Sequence, residues 1–191
     1  MPIKERMMAT TNCGTIIELK CDQNGLLVNE PHQVYRNHLG EVFAVTTTIE
    51  DLDAAHIYDI ILGTDAACEI HLLGMEIYTS GKAHAYLFED TVYTIIGIPK
   101  TPVCLNRTAV TSSSVAVLTG STETSSISIT STGDLLLESH YPADSKKNVA
   151  ALNDFGVELI LKDHTNYLLR VDNEDSTDIA LSILLLFVKH C

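Results

Sequence analysis

The stretch that decides the fold lies at the end of the chain: Val157-Glu-Leu-Ile-Leu-Lys-Asp-His-Thr-Asn-Tyr-Leu-Leu-Arg170, Val171-Asp-Asn-Glu-Asp-Ser-Thr-Asp178, and Ile179-Ala-Leu-Ser-Ile-Leu-Leu-Leu-Phe-Val188. Val157, Leu159 and Leu161 alternate with Glu158 and Lys162, and Tyr167, Leu169 and Val171 alternate with Arg170 and Asp172. A period of two marks half-buried strands. The linking Lys162–Asn166 predicts a hairpin, and the apolar run Ile179–Val188 predicts a central or interface strand buried on both faces.

The same texture runs back to Thr15. Short stretches rich in Ile, Val, Thr, Leu and Tyr are divided by Gly, Asn, Asp, Ser and Pro, and helix signals are nearly absent. The one weak helical turn is Lys147–Asn153, inside a long connection, Tyr141–Phe155, that reads as a surface interaction loop. Gln33–Arg36 and then Glu41–Thr48, with Gly40 as the break, read as strand entry into the main domain; Val115–Thr119 and Ile127–Thr130 read as strands, and Leu135–His140 follows them. In Glu69–Tyr78, Ile70 and Leu72 share a face with Met75 and Ile77 only if one extra residue intervenes at Leu73-Gly74, which predicts a β-bulge. His84–Glu89 follows the Ser80-Gly81 turn, so Glu69–Glu89 reads as a hairpin. Thr15–Lys20 and Leu26–Val28, joined through Asn24-Gly25, read as a small N-terminal hairpin or arm. The fold expected is all-β, an antiparallel β-sandwich or jelly roll at 30–191, preceded by that arm at 1–29.

Composition narrows function. The 191 residues suit one ample β-domain. Asp and Glu number 25 against 12 Lys and Arg, a net charge of -13, which disfavours a nucleic-acid partner. No apolar leader or membrane-length run is visible, so neither export nor membrane insertion is expected. Cys13, Cys21, Cys68, Cys104 and Cys191 are widely spread and form no CxxC, so the expectation is reduced thiols rather than a zinc knuckle or disulfide scaffold.

Signals for chemistry are sparse. The eight histidines, His32, His38, His56, His71, His84, His140, His164 and His190, form neither HExxH nor HxH. Asp172–Asp178 concentrates carboxylates without calcium-loop spacing and reads as a solvated hairpin tip. Asn106-Arg-Thr108 matches a glycosylation sequon by chance, with Arg107 shaping its loop or joining an ion pair. Neither GxSxG, a P-loop nor GxGxxG occurs. No catalytic, cofactor or metal residues are expected, and the chain is read as a non-enzyme. A jelly-roll hydrolase would need a carboxylate cleft, but Glu69, Glu76 and Glu89 read as ordinary outward-facing residues.

Taken in order, Pro31-His-Gln-Val-Tyr-Arg-Asn-His-Leu-Gly40, Pro102-Val-Cys-Leu-Asn-Arg-Thr108 and Val157–Arg170 resemble tailed-bacteriophage capsid decoration, or cement, proteins. The family pattern is a His-containing strand, a central Asn-Arg before Ser or Thr, and a hydrophobic-Leu-Lys-x-x-Thr-x-Tyr-Leu-hydrophobic-Arg hairpin before an apolar closing strand. The likeness covers Glu30 onward. It departs at Phe187-Val-Lys-His-Cys191, where members carry an aromatic-acidic ending, and in its Ala/Leu-rich connection. The resemblance implies a homotrimer bound to the major capsid protein on the head exterior, made in the host bacterial cytoplasm. The alternative is a tail, baseplate or head-fibre component that binds host glycan.

Overall fold

The computed structural model describes residues 7–10, 16–19, 39–64, 68–94, 97–109, 113–120, 127–142, 150–151 and 159–190. Contacts divide the chain into Met1–Tyr35 and Arg36–Cys191, six residues beyond the boundary expected from sequence. In the first unit β1 (Met7–Thr10) pairs antiparallel with β2 (Ile16–Leu19), Met7 opposite Leu19. The strand expected at Thr15–Lys20 is present, but its partner here precedes it; the expected pairing with Leu26–Val28 lies outside the described residues.

The second unit is built in chain order from β3 (Val42–Leu52), β4 (Ile57–Thr64), β5 (Glu69–Thr79), β6 (Ala83–Glu89), β7 (Val92–Tyr93), β8 (Ile98–Lys100), β9 (Val103–Cys104), β10 (Val115–Thr119), β11 (Ile129–Ser131), β12 (Asp134–Tyr141), β13 (Ala150–Ala151), β14 (Leu159–Leu161), β15 (Asn166–Asn173) and β16 (Ile179–His190). One sheet runs β13-β5-β16-β3-β9, with β14 also on β5; the other runs β12-β6-β15-β4-β10-β8. All of the pairings are antiparallel. The steps β3 to β4, β4 to β5, β5 to β6 and β15 to β16 each change sheet, which is the strand order of a jelly roll. The chain is therefore all-β, as its punctuation predicts.

Between the sheets lies one apolar core containing Phe43, Ile60, Leu72, Leu87, Tyr167 and Leu185, all almost wholly buried. Phe43 of β3 and Phe187 of β16 stack with ring centroids 6.0 Å apart. The bulge expected at Leu73-Gly74 is present. Leu186 faces Gly74 and Phe187 faces Leu72, so Leu73 is skipped in the register. Ile70, Leu72, Met75 and Ile77 consequently all enter the core, while Leu73 packs against Val42 and Val188. β16 is central, between β5 and β3, but its alternation is stronger than an all-apolar run suggests: Leu181, Ile183 and Leu185 are buried, whereas Ser182, Leu184 and Leu186 are only half-buried.

Both hairpins expected in the second unit are corners instead. β5 pairs in one sheet and β6 in the other, so Ser80-Gly81 carries the chain across the sandwich. The corner is fastened to β16: Ser80 N donates to Ala180 O at 3.0 Å, and Ala180 N donates to Ser80 Oγ at 2.8 Å. Likewise β14 joins β5 while β15 joins β4 and β6, so Lys162–Asn166 is a second corner. Thr64 holds it, its N bonding to Thr165 O at 3.1 Å and its Oγ1 to Lys162 O at 2.6 Å. Two alternating strands around a polar turn look alike whether they pair or diverge, because period two records burial and not the hydrogen-bonding partner. The helical turn expected near Lys147–Asn153 is corrected too, since Ala150–Ala151 pairs with Ile77 and Glu76.

Asp172–Asp178 is not the solvated hairpin tip expected from its charge. It links the two sheets and braces two other corners. Buried Asn173 donates through Nδ2 to Leu52 O, Asp53 O and Thr177 O at 2.8–3.0 Å, Asp175 accepts from Lys82 N, and Asp178 accepts from Ala54 N. A reduced state for all thiols is also corrected: Cys68 is disulfide-bonded. Spacing along the chain cannot show which cysteines folding brings together. Cys104 keeps its thiol, which lies 3.5 Å from Gly40 O and 3.4 Å from Asn106 O.

Two outcomes follow. A Cβ at Gly81 would lie 2.5 Å from Ile179 Cγ2 and 2.7 Å from Asp175 Oδ2, so Gly81→Ala lowers stability in urea unfolding by about 1–3 kcal/mol. Thiol titration of the denatured, unreduced protein yields at most three thiols, the five cysteines less the two of one disulfide.

Candidate functional site

The outer face of the β12-β6-β15-β4 portion of its sheet carries the densest set of functional side chains. Alternation puts His84, Tyr86 and Phe88 of β6 on one side and core residues Ala83, Ala85 and Leu87 on the other. The register then arranges the outer residues in cross-strand rungs. The apolar rung is Leu135, Phe88, Leu168 and Ile61. Buried Ile127, with Tyr93 and Ile129 of the small β7-β11 sheet, packs with this rung. The middle rung is Glu138, Tyr86, Arg170 and Asp59, and the last is His140, His84 and Asp172.

The middle rung holds a bidentate ion pair. Arg170 Nε and Nη2 donate to Asp59 Oδ1 and Oδ2 at 2.8 and 2.9 Å, and Asp59 is buried. The carboxylate raises the Arg170 pKa further above its ordinary value. In the last rung, Asp172 is pushed up, chiefly by burial, and its Oδ1 is buried without a hydrogen-bond partner among the described residues. His84 Nδ1 lies 3.0 Å from Tyr86 Oη, and the two rings stack at 4.3 Å; Tyr86 and Phe88 stack at 5.8 Å. Burial, then Asp172, Glu138 and Glu174, raise the Tyr86 pKa.

Beyond the rungs, Glu174 and Lys82 come from the two corners at this end. Lys82 Nζ sits 3.1 Å from Glu174 Oε2, and this contact is the main reason Glu174 is held below the ordinary carboxylate range. Backbone N–H groups of Lys82 and Ser176 do the same for Asp175. His84, His140, Glu138 and Glu174 thus meet at one edge, although no two of them lie within a recognisable sequence motif. HxH spacing could not have found His84 and His140, because they are brought together by β6-β12 pairing across 56 residues.

The other sequence candidates disperse. Asn106 Oδ1 accepts from Thr108 N at 3.1 Å and Thr108 Oγ1 at 2.7 Å, making a local turn with Arg107 exposed. Glu69 and Glu76 stand on β5, whereas Glu89 stands on β6 in the other sheet. Glu89 is not the open residue expected: its side chain is only 12% exposed and accepts from Tyr167 Oη at 2.9 Å and from Lys162 Nζ. His71 stacks on His190 at 4.3 Å and lies 2.6 Å from Glu69. His32 and His38 lie outside the described residues.

The chain matches no known family, characterised protein or solved structure. Among the described residues, no helix is long and apolar enough to cross a membrane.

The geometry sets two expectations for stability. Asp59→Ala strands the Arg170 guanidinium and costs about 3 kcal/mol or more in chemical denaturation. Asp172→Asn acts oppositely: a raised folded-state pKa means that the ionised form opposes folding. The variant is the more stable at pH 7. That advantage disappears below about pH 3.9, where Asp172 is protonated in both states. For Glu174 and Asp175 the sign reverses. Their lowered pKa values contribute stability above the ordinary carboxylate range, which is lost as pH falls through the folded-state values.

Proposed function

We propose that this chain is a structural virion protein that docks on the exterior of an icosahedral phage head, against the major capsid protein, and stabilises it as a decoration or cement protein. The observation that carries the reading is the jelly-roll order of the strands, an architecture widely used by virion proteins. A fold alone does not name a function; here it joins the resemblance of Val157–Arg170 and the two earlier segments. Such a protein needs no catalytic constellation. It acts by binding the assembled shell better than its parts, so that linkage stabilises the shell, and symmetry multiplies modest contacts.

Self-association, as a homotrimer, is assigned to the edge made by β8 and β9. Ile98, Val103 and Leu105 are 53%, 46% and 41% exposed there, and exposed apolar residues grouped at sheet edges favour association. Pro99 and Pro102 interrupt the edge hydrogen-bonding groups, which favours side-chain contact over open-ended strand addition. The second reading, a tail or fibre component that binds glycan, draws on the His84-Tyr86-Phe88 ladder on the outer sheet face, where the Tyr86 hydroxyl and the His84 ring nitrogens can hydrogen-bond sugar hydroxyls.

Cosedimentation with expanded heads and light scattering test the first reading. Saturable binding by a species of trimer mass is expected, and Val103→Asp shifts that mass toward the monomer. Absence of head binding, together with a glycan-array signal abolished by Tyr86→Ala, would establish the second reading in its place.

A further inference from the structure

We infer that His84, His140 and Glu174 form a site for a zinc-class divalent transition-metal ion, clamping β6, β12 and the β15–β16 corner together. Their donor atoms all lie within 4.8 Å of one another. His84 Nδ1 is 3.5 Å from Glu174 Oε1, and His140 Nδ1 is 3.8 Å from Glu174 Oε2. Ligands about 2.0–2.1 Å from a tetrahedral zinc stand about 3.3–3.4 Å apart, so small side-chain rotations close the set around an ion. Two imidazoles and a carboxylate form a borderline donor set that selects zinc, cobalt, nickel or copper over calcium or magnesium.

The surroundings fit a cation. Glu138 Oε1 lies 2.8 Å from His84 Nε2. That nitrogen is buried without an aligned hydrogen bond among the described residues, and a slight turn of the ring would let it donate to Glu138 while Nδ1 faces the ion. A carboxylate behind a ligating imidazole fixes its tautomer and raises its basicity. Tyr86 Oη, now beside Nδ1, must yield that lone pair. Asp172 adds negative charge one strand away, opposite His84. Lys82 opposes the ion, its ammonium lying 3.1 Å from Glu174 Oε2, but its side chain is solvent-exposed and can swing out.

The clamp would matter mechanically. β12 is the edge strand of its sheet, where, among the described residues, it pairs with β6 alone. A metal bridge from His140 of β12 to Glu174 beyond β15 spans β6 and secures that edge.

The test is calorimetric titration of the chelator-stripped full-length protein with Zn²⁺, with Co²⁺ visible absorption and thermal unfolding as parallel readouts. One ion binds per chain with micromolar or tighter affinity, Co²⁺ develops the intense bands of a four-coordinate site, and the unfolding midpoint rises by several degrees. His140→Ala and Glu174→Gln each weaken binding by about tenfold or more. His190→Ala, at the separate His71-His190 pair, leaves it unchanged. Lys82→Ala binds about threefold tighter, by removing a competing cation, a gain that misfolding cannot imitate. Absence of binding, or binding that survives both His140→Ala and Glu174→Gln, overturns the site. So does binding lost on His190→Ala.

Discussion

The corner between β15 and β16 is the constraint on which the sandwich depends. β15 lies between β4 and β6 in one sheet, and β16 lies between β3 and β5 in the other. The last strands of the chain therefore complete the centres of both sheets. The residues around them are fastened accordingly: Asn173 reaches the β3–β4 corner through two carbonyls, those of Leu52 and Asp53, and Asp175 reaches the β5–β6 corner. A topology with such distant partners must close long loops before its contacts form, so its folding is slow relative to a fold of local contacts.

The distribution of charge follows from that arrangement. An acidic corner that brings together Asp172, Glu174, Asp175 and Asp178 would repel itself in isolation. Here the backbone N–H groups of Lys82 and Ser176 hold Asp175, and the Lys82 ammonium holds Glu174. Asp172 Oδ1 has no hydrogen-bond partner among the described residues, and Asp172 stands opposite His84. The outer face thus grades from an apolar rung beneath Tyr93, Ile127 and Ile129 to a polar edge at His84 and His140. One face can in this way contribute packing at one end and ligand chemistry at the other.

Several features were legible because each is written in local spacing. The Leu73 bulge follows from Ile70, Leu72, Met75 and Ile77 having to share a face. β10 follows from the β-prone run Val115–Thr119 between polar segments. By contrast, Ile60, Ile61 and Leu62 in β4 run as a continuous apolar block, because Ile60 and Leu62 enter the core while Ile61 enters the outer apolar rung. Periodicity does not identify a strand buried on both sides. The histidine site was illegible for another reason: His84 and His140 become neighbours through pairing, and Glu174 joins them only when the closing corner is in place.

The sequence by itself determined the fold class, most strand positions and which residues face the core, since those depend on side-chain chemistry repeated every two residues. Tertiary structure alone decided whether adjacent strands pair or part, which turns became corners, that Asp172–Asp178 is a brace, and that His84, His140 and Glu174 meet. The physical reason is that burial is encoded residue by residue, whereas a strand's hydrogen-bonding groups are the same backbone N–H and C=O everywhere. Their partners are selected only when the whole core is packed.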